Sequence, residues 1–300
     1  MRMLVLDHFF DQDIEALRDA LAPGDAIEVL PYQQLRAEAL RSLPTQVSSG
    51  LEAFAAIRGT PQHRRWVERL HRILGYEIRR SGCDVVVAPS DTFFYVRDAP
   101  PVCHAHGVPF VVVMKETTLT DETMRTLPAA LRRWAPPFAD AMSVCSERQR
   151  EFWERAGADP ATIRVLGQPR FDLYARSGAR RSGPPTVLFF SYMLGAYHPT
   201  GGLGNAPYPA WKRLHEETCA ALHEVAAEGW RVVIKPHPQQ DLSETMLSAL
   251  RDAAGNVSIA PAGADARRLI LEADVVVGFQ TTALIEAAVA GKPGLQTGWD

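Results

Sequence analysis

Two similar α/β units joined by a short linker are the fold that this sequence predicts, and three observations predict it. Short β-branched runs alternate with helical stretches along the whole chain, the pattern of parallel sheets with crossover helices. The chain has 300 residues, more than one ordinary core holds. The alternation stops once, at Ser177–Pro185 (SGARRSGPP), where Pro, Gly, Ser and Arg without apolar residues read as a linker, and then restarts. We therefore expect a first domain over 1–176, a linker over 177–185 and a second domain over 186–300, each doubly wound.

In the first domain the strands fall at Met3–Leu6, Ala26–Leu30, Asp84–Ala88, Pro109–Met114, Ala141–Cys145 and Ile163–Leu166. Helical patterns lie between them. Asp11–Leu21 spaces Ile14, Leu17 and Leu21 for one face, and Gln62–Arg80 sets Trp66, Leu70, Ile73, Leu74 and Ile78 opposite its arginines. Ser146–Ala156 opens on a serine N-cap with Gln149 three residues later, a capping box. In the second domain the strands are Thr186–Phe190, Arg231–Ile234, Val257–Ile259, Asp274–Val277 and Gly294–Gln296. Helices are expected over Ala210–Ala227, Ser243–Asp252, Asp265–Leu271 and Thr281–Ala290. The sequence stops directly after a strand where a doubly wound domain would add a covering helix, so it reads as truncated or as having a short C-terminal cap.

Composition narrows the function. Hydrophobic residues make up 46% and charged residues 22%, the balance of a globular protein, and the net charge of −3 gives no general attraction to nucleic acid or membrane surfaces. The basic clusters His63–Arg65 and Arg79–Arg80 read as solvated helix faces. No apolar run reaches the roughly 20 residues of a membrane span, and MRMLVLDHFF reads as a first strand rather than a signal peptide. Four cysteines without metal or disulfide spacing point to a reducing cytoplasm. His104 and His106 form an HxH that reads as a helix end closed by Gly107, and no metal site is expected.

Ligands of open α/β sheets bind at the carboxyl ends of the strands, so the residues there are the candidates. RVVIKPHPQQ ends a strand on Lys235 and on His237 between two prolines; both side chains can donate to a diphosphate, and His237 can protonate a leaving phosphate oxygen. The simpler alternative is that the prolines only break the strand. After Asp274–Val277 come Gln280, Thr281 and Thr282, which open a helix as an anion site, with Glu286 one turn on to hold ribose hydroxyls. The two threonines also suit plain N-caps, and Glu286 a dipole-satisfying carboxylate. The run after Phe190 is rich in glycine, Gly195 among them, and would let backbone approach a ligand. In the first domain Asp91 and Glu116 follow strands, and either would serve as general base on an acceptor hydroxyl or pair with Lys115. Arg170, in the turn GQPRFD, either meets an anion or pairs with Asp172.

The order GQPRFD, linker, strand with Gly-rich run, KPHP, then ADVVVGFQTTALIEAAVAGKP resembles the GT-B glycosyltransferase superfamily. More narrowly it is similar to bacterial capsule and surface-polysaccharide enzymes related to CDP-glycerol glycerophosphotransferases. The resemblance covers residues 140 to 300 well and the rest through the fold pattern and the VVVMKE strand end. It implies two Rossmann-like domains facing a cleft, and a metal-independent transferase with no cofactor beyond its nucleotide-activated substrate. It also implies a donor on the second domain and a glycan or lipid-linked acceptor on the first, peripheral to the inner membrane. By the same resemblance His237 and Lys235 contact the donor diphosphate, Thr281 and Thr282 the phosphate, and Glu286 the ribose. Phe279-Gln280 stands where that family has an acidic or aromatic residue, and no WHG-type histidine occurs, so a sugar nucleotide fits better than a glycerol-phosphate donor. A nucleotide-sugar 2-epimerase of the same fold, and a non-catalytic assembly partner, are the alternatives.

Overall fold

A computed structural model describes residues 1–8, 10–115, 119–175, 183–191, 208–237, 255–261, 263–279 and 281–297. The chain divides into two compact units, Met1–Asp172 and Leu173–Asp300.

The first unit is a six-stranded parallel sheet of β1 (Arg2–Asp7), β2 (Ala26–Pro31), β3 (Val85–Ala88), β4 (Phe110–Val113), β5 (Ala141–Val144) and β6 (Ile163–Val165). Its order is β2-β1-β3-β4-β5-β6, so the chain reverses its winding direction between β1 and β3. The crossovers carry α1 (Asp11–Ala20), α2 (Tyr32–Ser42), α3 (Leu51–Ile57), α4 (Pro61–Ser81), α5 (Ala99–Ala105), α6 (Asp121–Trp134) and α7 (Glu147–Arg155). Alternation along β1 sends Leu4 and Leu6 into one core and Met3 and Val5 into another, so both faces of the sheet are covered.

Helix α4 shows how the sequence sets an element. Thr60 caps it, its Oγ1 accepting the His63 N–H at 3.2 Å, and Pro61 occupies the first turn, where its missing N–H costs nothing. Gly82, at φ 59°, closes it in the left-handed region that glycine enters without penalty. The predicted stripe is buried at Trp66, Leu70, Leu74 and Ile78, each worth about 1.5–3 kcal/mol of transfer free energy. At the start of α7, Ser146 Oγ accepts the Gln149 N–H at 3.2 Å as predicted, but Gln149 Oε1 accepts the N–H of Cys145, one residue before the cap.

The second unit is a five-stranded parallel sheet in the order β11-β10-β7-β8-β9. Its strands are β7 (Thr186–Phe190), β8 (Arg231–Lys235), β9 (Val257–Ile259), β10 (Val275–Gly278) and β11 (Gly294–Gln296). With α8 (Asp172–Ala175) at the unit boundary, its helices are α9 (Tyr208–Ala227), α10 (Ala266–Glu272) and α11 (Ala283–Val289). Val187, Phe189, Val232 and Ile234 pack with Leu214 and Leu222 of α9. Leu188, Val233 and Val276 pack on the other face with Tyr174, Ile270 and Ala287. Strand β11 is exposed at all three residues. The expected helix Ser243–Asp252 and most of the linker lie outside the described residues.

The strand predictions hold along the described chain, whereas α2, α3 and α6 had not been expected. Their apolar spacing is short or broken, as by Pro128 inside α6, and tertiary burial of Leu35, Phe54 and Leu131 fixes them instead. Leu70→Ala is expected to destabilise the first unit by about 2–5 kcal/mol, read as a lower denaturation midpoint with unchanged slope, because Leu70 is fully buried in its core.

Candidate functional site

In the second unit β10, β7 and β8 are consecutive, and the winding direction reverses between β10 and β7. A crevice opens at the carboxyl ends of strands at such a reversal. The segments after these three strands are the same three that carry the second-domain candidates.

At the end of β8, the Lys235 side chain is 4% exposed, and its Nζ donates to the Pro236 carbonyl at 3.1 Å. Burial lowers its pKa. His237 comes two residues later, half-buried, its pKa lowered first by burial and then by the Lys235 charge. Both groups are therefore biased towards neutrality, and an anion arriving beside them would favour their charged forms.

Ser191, one residue past β7, continues the ladder through its N–H to the Lys235 carbonyl at 3.0 Å. Its hydroxyl lies 3.1 Å from His215 Nε2, while His215 Nδ1 is 3.4 Å from Cys219 Sγ one turn along α9. All three side chains are buried, and burial holds the His215 imidazole neutral with a pKa lowered to about 4. Ser191 and His215 escaped the sequence reading. The available signal was a serine ending a strand beside the Gly-rich run, but His215 looks like any helical histidine in one dimension.

At the end of β10, Gly278 admits a close turn: a Cβ there would lie 2.6 Å from Thr281 Cγ2. Thr281 Oγ1 accepts the Ala283 N–H at 3.3 Å, so this threonine caps α11. Thr282 is the residue before the helix and makes no side-chain capping bond. Glu286 is 7% exposed and accepts a hydrogen bond from the Tyr174 hydroxyl at 2.7 Å, a partner that the sequence reading did not name. Gln280 and Gly195 lie outside the described residues.

The first-domain candidates belong to the first unit. Glu116 lies outside the described residues. Asp91 is fully buried: Oδ2 accepts the Phe138 N–H at 2.8 Å and lies 3.9 Å from Arg97 Nη1, whose guanidinium also donates to the Asp91 carbonyl. Burial raises its pKa, against the pull of the Phe138 N–H and the Arg97 charge. Asp91 thus pairs with Arg97 rather than Lys115. Arg170 pairs with Asp13 of α1 at 3.6 Å and not with Asp172, while its own N–H donates to Asp13 Oδ1 at 3.1 Å. This buried pair ties the GQPRFD turn to the first helix. His104 bonds Asp140, and His106 sits against Gly75 of α4. Among the described residues no cluster of histidine, cysteine or carboxylate side chains is arranged to hold a metal, and no helix is long and apolar enough to cross a membrane.

A second strand-end feature lies in the first unit, where the winding reverses between β1 and β3. His8, just after β1, has Nδ1 2.6 Å from the Tyr95 hydroxyl and rings of Tyr32 and Phe93 at 4.4 and 4.3 Å. Burial, with the charges of Lys115 and Arg36, lowers its pKa to about 4.

The burial of His215 makes a pH prediction. Between pH 6.5 and about 4 the unfolded chain takes up a proton that folded His215 refuses. Stability of the second unit therefore falls as pH is lowered through that window, by about 3 kcal/mol in all. Chemical denaturation of the wild type and of His215→Asn at pH 7 and pH 4.5 should show a smaller pH-dependent loss in the variant.

No profile of a known protein family matches the chain, and no curated protein sequence does. Solved structures do. A Listeria monocytogenes protein described as a UDP-N-acetylglucosamine 2-epimerase is 15% identical with a TM-score of 0.61, over 98% of this chain and 78% of that one. The UDP-GlcNAc 2-epimerase of Neisseria meningitidis, solved with UDP-GlcNAc, is 12% identical with a TM-score of 0.57, over 99% and 82%. A glycosyltransferase from Rickettsia africae is 11% identical with a TM-score of 0.56, over 99% and 80%. Two parallel α/β units in this order, matched along nearly the whole chain, give it the two-domain Rossmann-like GT-B fold.

Proposed function

We propose that the protein is an enzyme acting on a nucleotide sugar, with the nucleotide held by the second unit. The observation that carries this reading is the adjacency of β10, β7 and β8, which sets Thr281, Ser191, Lys235 and His237 at neighbouring strand ends beside a winding reversal. A diphosphate suits this edge. Lys235 and His237 supply donors whose charged forms the anion itself favours, and the Ser191 hydroxyl is oriented by His215. Such fixed donors stabilise charge on a nucleoside diphosphate whether it leaves or stays bound.

Two reactions fit. Epimerisation of a UDP-sugar stands first, because the structures of like fold include UDP-GlcNAc 2-epimerases, one of them solved with UDP-GlcNAc. Transfer to a glycan acceptor, the reading that the motif order favours, stands second and is supported by the Rickettsia africae glycosyltransferase. The capsule and glycerophosphate readings rest on the motif resemblance alone. His237 in its neutral form can accept a proton, and in its charged form can return one to a phosphate oxygen.

Incubation with UDP-N-acetylglucosamine alone, followed by NMR for the C2 epimer, separates the two. Turnover without acceptor supports epimerisation; binding of the nucleotide sugar without turnover supports transfer. Failure of UDP, CDP and GDP sugars alike to bind would overturn the reading.

Two variants report on the edge. His237→Ala is expected to weaken UDP binding about 10–100-fold, the loss of one charge-assisted donor, measured by titration calorimetry. Gly278→Ala should weaken it as well, by forcing Thr281 out of its turn, and should lower the thermal midpoint slightly.

A further inference from the structure

Tyr174, on α8, is a residue that the nucleotide reading leaves without a task. Its side chain is 1% exposed and belongs to the apolar cluster that also holds Leu188, Val276, Ala283 and Ala287. Leu188 and Val276 are register partners on β7 and β10, the strands at the winding reversal, and the two alanines belong to α11. The ring is thus rooted in the core shared by α11 and those two strands.

From this core the Tyr174 hydroxyl donates to Glu286 Oε2 at 2.7 Å, and the glutamate is itself buried. A carboxylate taken so far out of water is costly unless hydrogen bonds hold it, and a buried hydroxyl is costly for the same reason. Each therefore offsets the burial of the other. Packing alone requires neither, because apolar residues of the same shape replace such a pair at little cost. What the pair does provide is a carboxylate held in a fixed orientation. A carboxylate has about four lone-pair sites, so further donors can share it with the phenol. Glu286 stands in the first turn of α11, its N–H bonded to the Thr282 carbonyl at 3.1 Å, and α11 follows β10 beside the reversal. The paired hydroxyls of a ribose are donors that suit a fixed carboxylate at such a crevice.

We propose that Tyr174 is a positioning residue. Its hydroxyl fixes the Glu286 carboxylate to accept the 2′- and 3′-hydroxyls of the nucleotide's ribose, and the pair thereby selects ribonucleotides over 2′-deoxyribonucleotides. This inference rests on the nucleotide reading of the second unit, and adds to it the residue behind the ribose carboxylate and a sugar preference.

Titration calorimetry of the full chain with UDP, CDP and GDP first finds the nucleotide that binds, and its 2′-deoxy form is then compared with it. The wild type should hold the ribo form about tenfold more tightly or better, since the deoxy form lacks one hydrogen bond to a charged group. Tyr174→Phe keeps the ring and its packing, and should reduce that preference to about threefold or less. A residue that only packed would weaken both forms alike and leave their ratio unchanged. Glu286→Gln should reduce the preference as far, and the two changes together no further than Glu286→Gln alone, because Tyr174 acts through Glu286. If no nucleotide binds the wild type, the nucleotide reading falls and this inference with it. If a nucleotide binds but its 2′-deoxy form binds equally, the nucleotide reading stands and this inference alone falls. It also falls alone if either single variant keeps the wild-type ratio, or if the double variant loses more of the preference than Glu286→Gln.

Discussion

Parallel strand pairing is the constraint on which the structure depends. Every described strand pair in both sheets is parallel, from β1 with β2 to β10 with β11. A parallel pair needs a crossover that returns the chain to the starting edge, and the helices that do this cover both faces. All carboxyl ends of one sheet then lie along one edge. Chemistry has nowhere else to collect, because the faces are sealed by residues such as Leu4, Met3, Phe189 and Leu188. Lys235, His237, Ser191 and Thr281 share an edge for this reason, although they are spread over about ninety positions of sequence.

The same sealing sets the electrostatics. Side chains at the strand ends are rooted in a poorly solvated layer, which penalises charge. At the strand ends His8, Lys235 and His237 are shifted towards their neutral forms, and burial does the same to His215 behind them on α9. Where a charge is kept inside, it is matched, as Arg170 is by Asp13. That pair also has a mechanical consequence. It fixes the GQPRFD turn to α1 of the first unit, while Tyr174, four residues on, packs into the second unit and donates to Glu286. Residues 170 to 174 are therefore anchored at both ends by buried polar contacts.

Much of this was legible in one dimension, and the residues show why. Strand positions derive from β-branched runs such as VVV at 85–87 and 275–277, which have no competing helical reading. The α/β rule then selected Lys235, His237, Thr281 and Glu286 without any contact information, and the strand order sets their segments side by side. Partners were not legible. Arg170 meets Asp13 across 157 positions and Glu286 meets Tyr174 across 112, and no local pattern encodes such distances. Asp91 misled for a related reason: a carboxylate after a strand looks like a catalytic group, but its exposure depends on Arg97 and Phe138, which fold over it. His8 stands out only once the strand order sets the end of β1 beside a winding reversal, which its own segment does not encode.

The two strand-end edges are built alike and lined differently. In the second unit the ends of β7 and β8 carry Ser191, Lys235 and His237, and His215 behind them serves to orient the serine hydroxyl. In the first unit the same topological position is backed by α6 and α7, whose inward faces present Leu131, Phe152 and Trp153. Helix α7 is mostly charged along its outer face, so its two consecutive aromatics are not a surface accident. Each is almost fully buried, yet each borders a void large enough for a ligand.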